Sequence, residues 1–119
     1  LPDDEVDLSQ WDYALSARDD AYVLKELRKL KASSYAVGKL ERAMERVQKG
    51  TAKPGECGPV RGDVWELRVN YDNRWYRLLY ARTGDRFVAL YIGAKKTNKL
   101  DPSWTDTAEG RLKEHRSRQ

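Results

Sequence analysis

Three runs decide the fold: residues 64–69 (VWELRV), 75–82 (WYRLLYAR) and 87–97 (FVALYIGAKKT). Each alternates at the two-residue period of a strand. In the first, Trp65, Leu67 and Val69 point one way and Val64, Glu66, Arg68 and Asn70 the other. In the second, Tyr76, Leu78 and Tyr80 oppose Trp75, Arg77, Leu79 and Ala81. Turn formers stand between the runs, Asp72-Asn73 and then Thr83-Gly84-Asp85, so the pattern predicts a meander of three antiparallel strands. With the apolar faces packed on helices, Arg68 and Arg77 emerge together on the opposite face, and Lys95 and Lys96 follow just past the third strand. That is a cationic cluster on a sheet, suited to phosphate.

Outward from this centre, Tyr22, Val23, Leu27 and Leu30 share one face of a helix that opens at Ala21, behind an Asp19 or Asp20 cap, and reaches about Lys31. Ser33 or Ser34 caps a second helix, whose stripe of Val37, Leu40, Met44 and Val47 runs until Gly50 stops it. The two helices predict an antiparallel hairpin. Residues 10–16, with Trp11, Tyr13 and Leu15 alternating, read as a further N-terminal strand. Residues 50–62 carry Pro54, Gly55, Gly58, Pro59 and Gly62 and read as a loop. After a polar connection over 97–102, Ser103 or Thr105 opens a last helix with Ala108, Leu112 and Trp104 inward. The expected fold class is therefore α+β: an N-terminal helical hairpin on a small antiparallel sheet, with a C-terminal helix. One domain over residues 1–119 is expected, with an acidic, poorly ordered arm at 1–9 and a frayed tail over 114–119, above all its last residues 116–119.

A chain of 119 residues can bury one modest core. Its apolar runs are far shorter than the roughly 18 to 20 residues of a membrane span, and no secretory leader is visible. The single Cys57 excludes an intrachain disulfide and a multi-cysteine zinc site, and a reducing cytoplasm is the expected setting. The net charge of +4 hides an asymmetry: residues 1–20 hold seven acids against Arg18, a local −6, which leaves +10 for the remainder. So basic a body points to a polyanionic partner, with a solvated surface as the plainer account. The acidic start reads as a solvated arm or as a shield over that body.

Read in order, Val60-Arg61-Gly62, Trp65-Glu66-Leu67-Arg68, Tyr76-Arg77-Leu78-Leu79-Tyr80 and Lys95-Lys96-Thr97 before a short helix resemble the RelE/ParE toxin superfamily. The likeness is greatest to its HigB-like branch, related to small phage-encoded proteins, and covers roughly residues 21–115. It implies the toxin of a type II toxin–antitoxin module: an endoribonuclease that cuts messenger RNA, often on the ribosome, without a metal or other cofactor, and that a HigA-like antitoxin neutralises. By the same resemblance Arg77 matches the arginine that contacts the scissile phosphate. Arg68 matches a basic residue on the neighbouring strand, Lys95 and Lys96 the basic pair after the last central strand, and Arg61 a basic residue in the loop before the sheet. One departure stands out. RelE-like nucleases often carry a tyrosine near the C-terminus, residues 98–119 hold none, and Trp104 or Tyr91 is left to do its stacking.

Metal-free cleavage drives the 2′-hydroxyl onto the adjacent phosphorus, which asks for a base, cations for the developing phosphorane and an acid for the departing 5′-oxygen. Arg77 and Arg68 suit the second task, because a guanidinium fork matches two phosphoryl oxygens. Lys95 or Lys96 is the expected acid or base. An unperturbed ammonium, with a pKa of about 10.4, is a poor base at neutral pH, and crowding by neighbouring cations is what would lower it. Glu66 is expected to pair with and orient Arg68, the alternative being the base itself. Arg61, Trp75, Glu66 and Lys99 are the residues expected to touch RNA around the cluster, Trp75 by stacking. His115 near the end and Cys57 in a Gly/Pro loop carry little weight. A second class stays open on the same scaffold: a non-enzymatic toxin or regulator, such as a ParE-like inhibitor of DNA gyrase or a phage-borne protein binder.

Overall fold

The computed structural model describes residues 5–119, and in them β1 (Trp11–Tyr13), α1 (Tyr22–Lys29), α2 (Ser34–Lys49), β2 (Cys57–Arg61), β3 (Val64–Tyr71), β4 (Arg74–Thr83), β5 (Arg86–Lys95) and α3 (Pro102–Ser117) follow in turn. The three alternating runs are β3, β4 and β5, antiparallel neighbours at the centre of a five-stranded sheet ordered β1-β5-β4-β3-β2. Asp72 and Asn73 make the tight turn from β3 to β4, both with positive φ, as a two-residue hairpin requires. The expected α+β architecture is present.

Both faces of the sheet are covered. On one, Leu67, Val69, Leu78 and Tyr80 pack with Val23, Leu27, Leu40 and Met44 of the two N-terminal helices. On the other, Val64, Leu79, Ala81, Val88 and Leu90 pack with Ala108 and Leu112 of α3. Ser33 caps α2 by accepting from the Ala36 N–H at 3.1 Å, and Gly50 ends it in the left-handed conformation. The two N-terminal helices, expected to pack on each other as a hairpin, pack chiefly on the sheet instead, α1 over β5 and α2 over β3.

Several expectations are corrected. The stretch 50–62, expected to be a loop, contains the edge strand β2; Pro59 and Gly58 disfavour a central strand, because proline removes a ladder donor, but an edge strand tolerates that loss. The N-terminal strand is three residues long and parallel to β5, so the sheet is mixed and not wholly antiparallel. Helix α1 starts at Tyr22 with Ala21 at the cap position and no side-chain cap. The Ser16 hydroxyl, accepting from the Arg18 and Asp20 N–H groups, holds the aspartates in a turn instead. Asp101 caps α3, with Pro102 in its first turn, and the helix runs to Ser117 through most of the stretch read as frayed. Trp65 shares the face of Leu67 and Val69 yet is 40% exposed, because the helical layer stops short of it near the β2 edge. Of the expected acidic arm, residues 1–4 lie outside the described residues; Asp7 and Gln10 donate backbone N–H groups to Glu45 and Gln48 of α2.

Candidate active site

The alternation that put Arg68 and Arg77 on one face is realised as direct register: the two face each other across β3 and β4. Like charges so placed repel. Glu66, also on that face, joins them, one carboxylate oxygen accepting from Arg77 Nη1 and the other lying 3.1 Å from Arg68 Nη1. Both of its oxygens are thus taken by guanidinium groups. Arg68 also donates through Nε to the Gly55 carbonyl at 3.0 Å. Arg77 is only 4% exposed, and its Nη2 donates to the Asn98 side-chain oxygen. Its buried Nε has no acceptor among the described residues.

Helix α3 decides where this face is open. It covers Leu79, Ala81, Val88 and Leu90, and Arg77 lies two residues beyond Leu79 along β4. A bulge in the β4–β5 register sets Leu79 against Tyr91 but Tyr80 against Ala89, so Leu90 is the extra residue. The phase of β5 changes there. Beyond the bulge Gly93 faces Arg77 and Lys95 faces Trp75, which brings Lys95 and Trp75 onto the arginine face. Trp104, in the first turn of α3, lies flat against Gly93, where an added Cβ would stand 2.6 Å from the indole. Tyr91 sits beside that ring at 5.5 Å between centroids, and the Lys95 ammonium is 5.2 Å from its centre.

Each expected residue can now be placed. Arg68, Arg77, Glu66, Trp75 and Lys95 come together. What surrounds Lys95 is a carboxylate, Asp101 at 3.5 Å, and the Trp104 face, and not the arginines alone. The Asp101 carboxyl is held below its ordinary range, chiefly by hydrogen bonds from Ser103, with Lys95 adding to the effect. Lys96 and Lys99 are exposed on the connection after β5. Arg61 is engaged by Asp106 and Glu109 of α3, at 2.5 and 2.6 Å, and faces Val64, about 13 Å along β3 from Arg68. Asn98 and Gly93 were not singled out from sequence. A glycine inside a strand is the signal that marks close approach, and it was there to be read. Among the described residues no three of His, Cys, Asp and Glu converge as a metal site needs. Among the described residues no helix is long and apolar enough to cross a membrane.

A family model described as phage derived protein Gp49-like matches residues 14–113. Two proteins of Mycobacterium tuberculosis, from strains CDC 1551 / Oshkosh and ATCC 25618 / H37Rv, are each named probable endoribonuclease HigB1. Each is 32% identical over 113 residues, covering 94% of this chain and 89% of the relative.

Proposed function

The chain belongs to the Gp49-like family of phage-derived, HigB-like toxins, and on that premise we propose that it is a metal-independent endoribonuclease of a type II toxin–antitoxin pair. Its substrate in this reading is messenger RNA, engaged on the ribosome, and its setting is the cytoplasm. The observation that carries the reading is the register pair Arg68–Arg77, joined by Glu66 at the end of the sheet that α3 leaves open, with Lys95 on the same face.

In the reaction the 2′-hydroxyl attacks phosphorus and the bond to the 5′-oxygen breaks, leaving a 2′,3′-cyclic phosphate. Negative charge grows on the equatorial oxygens, and fixed guanidinium groups there are worth more in the transition state than in the ground state. Arg68, the more exposed of the two arginines, supplies the outer guanidinium, and a phosphate oxygen there takes the place of the Gly55 carbonyl at its Nε and Nη2. Arg77 backs it, and a phosphate oxygen that reaches Arg77 takes the place of the Asn98 oxygen at Nη2 or satisfies the buried Nε. Glu66 fixes the angle of both forks and so acts as a positioning residue. Of Lys95 and Lys96 at the rim, one as the free amine takes the 2′-hydroxyl proton and the other as the ammonium gives one to the departing 5′-oxygen. A HigA-like antitoxin with an acidic segment would silence the site by occupying the same cations.

The test is induced expression in a bacterial host with primer-extension mapping of transcripts. New cuts within translated regions are expected, reduced about 100-fold or more by Arg77→Lys, which keeps the charge but loses the fork, and by Lys95→Ala with Lys96→Ala. Uncut transcripts in growth-arrested cells would sink the reading. A second reading, a non-enzymatic toxin or regulator on this fold, is favoured by one observation: Arg77 is buried with two of its three nitrogens already engaged. Arrest with DNA damage and intact transcripts would point there, to a gyrase-type target.

A further inference from the structure

Beside the cleavage site lies a groove that the reading above leaves unused. Strand β2 pairs with β3 only as far as Cys57 opposite Leu67, while β3 continues to Tyr71. Between that edge, the loop over 50–56 and α2 is a groove of about 280 Å³, near the lower end of small-ligand sites at ~300 Å³. Lys39, Arg46, Lys53 and Arg68 line it against one carboxylate, Glu56. Arg46 and Glu56 satisfy each other, Nε to Oε1 at 3.0 Å. The charge left over belongs to Lys39 and Lys53, since Arg68 is paired with Glu66. The Lys39 ammonium sits at the open strand edge, donating to the Asn70 carbonyl at 2.6 Å with further N–H groups to spare. The exposed Lys53 ammonium feels the Glu56 carboxylate electrostatically but forms no close ion pair with it.

Trp75 also lines the groove, on the arginine face of β4. It is half-buried, faces Asn70 on one side and Lys95 on the other, and among the described residues no other ring stacks on it. Trp11 and Trp104, by contrast, are packed against neighbouring rings. A half-fixed indole between cations is the arrangement by which proteins hold an unpaired base and the backbone phosphate next to it. A duplex cannot use it, since its bases are already stacked.

We propose that this groove is a subsite for single-stranded RNA flanking the cleaved bond. One base stacks on Trp75, the phosphate beyond it lies between Lys53 and Lys39, and Arg68 is shared by the subsite and the cleavage site. The proposal rests on the ribonuclease reading for its substrate but not for its binding chemistry, and that separates their tests. Fluorescence anisotropy with a labelled ten-nucleotide RNA, methylated at every 2′-hydroxyl so that it cannot be cut, reads the groove alone. Lys39→Ala with Lys53→Ala should weaken binding at least tenfold at low salt. It should also flatten the slope of log K against log salt by ~1.4, or ~0.7 for Lys53→Ala alone. Trp75→Leu should cost about tenfold without changing that slope.

Unchanged affinity and slope in folded variants would overturn the subsite, even if the wild type cleaves. An acidic peptide bound through these lysines while the RNA is ignored would overturn it too, in favour of a protein partner. RNA bound through Lys53 and Trp75 by a chain that cuts nothing would uphold the subsite and reject the ribonuclease reading.

Discussion

Gly93 is the residue on which the geometry of the site turns. Its missing side chain lets the Trp104 indole lie against β5 beside Arg77, and a Cβ placed there would come within 2.6 Å of the ring carbons. Trp104 cannot yield freely, because Tyr91 flanks it. Gly93→Ala should therefore destabilise the protein by about 2 kcal/mol, a fall in Tm of roughly 5 to 10 degrees, as overpacking does in a filled site. Thermal unfolding followed by near-UV circular dichroism checks this; an unchanged Tm would mean the indole is free to move. At this scale the sequence was partly legible. Arg68 and Arg77 could be put on one face from alternation alone, because period-two placement is local. That Glu66 serves both arginines, and that Asn98 holds the far side of Arg77, depends on contacts across 11 and 21 residues that no local pattern encodes.

At the scale of elements, the loop over 50–56 is held to α2 by a carboxylate. Glu56 accepts from Arg46 Nε and from the Lys53 N–H, each at 3.0 Å, and the Arg46 hydrogen bond is the main cause that keeps its carboxyl below the ordinary value of 4.5. Because the folded state prefers the ionised form, the stabilisation is fully present above that ordinary value and is lost as pH falls through the lower folded one. Urea unfolding at pH 7 and pH 3 should show Glu56→Gln costing about 1 kcal/mol at the higher pH and little at the lower. Equal costs at both would remove the ion pair from the account. The bulge in β5 acts at the same scale. Strict alternation along 87–97 would keep Lys95 on the face of Phe87, but the extra Leu90 changes the phase and puts Lys95 opposite Trp75.

For the whole molecule, the two helical layers are tied together around the open edge of β5. Strand β1 covers that edge only from Phe87 to Ala89. Beyond it Glu26 of α1 accepts from the Ile92 N–H at 3.1 Å and from Arg111 of α3 at 2.8 Å. The Arg111 guanidinium lies 3.8 Å from the centre of the Tyr22 ring and also donates to the Leu90 carbonyl. Burial, outweighing Arg111, pushes the Glu26 carboxyl above its ordinary range. Arg111→Met should then destabilise the fold by about 2 kcal/mol at pH 7, because it strands a largely buried carboxylate. That cost should shrink as pH falls through the raised Glu26 value, since the neutral acid tolerates burial. A urea midpoint that moves equally at pH 5 and pH 7 would contradict this.

By itself the sequence determined the three-strand meander, the α2 boundaries, the shared face of Arg68 and Arg77 and the resemblance to HigB-like toxins. All of these rest on local period, turn chemistry or short motifs. The tertiary structure alone decided the proline-bearing edge strand, the parallel β1, the exposure of Trp65, the phase change that brings Lys95 to the site and the groove beyond Arg68. Each depends on which surface another element happens to cover, and that is set by packing between residues distant in the chain.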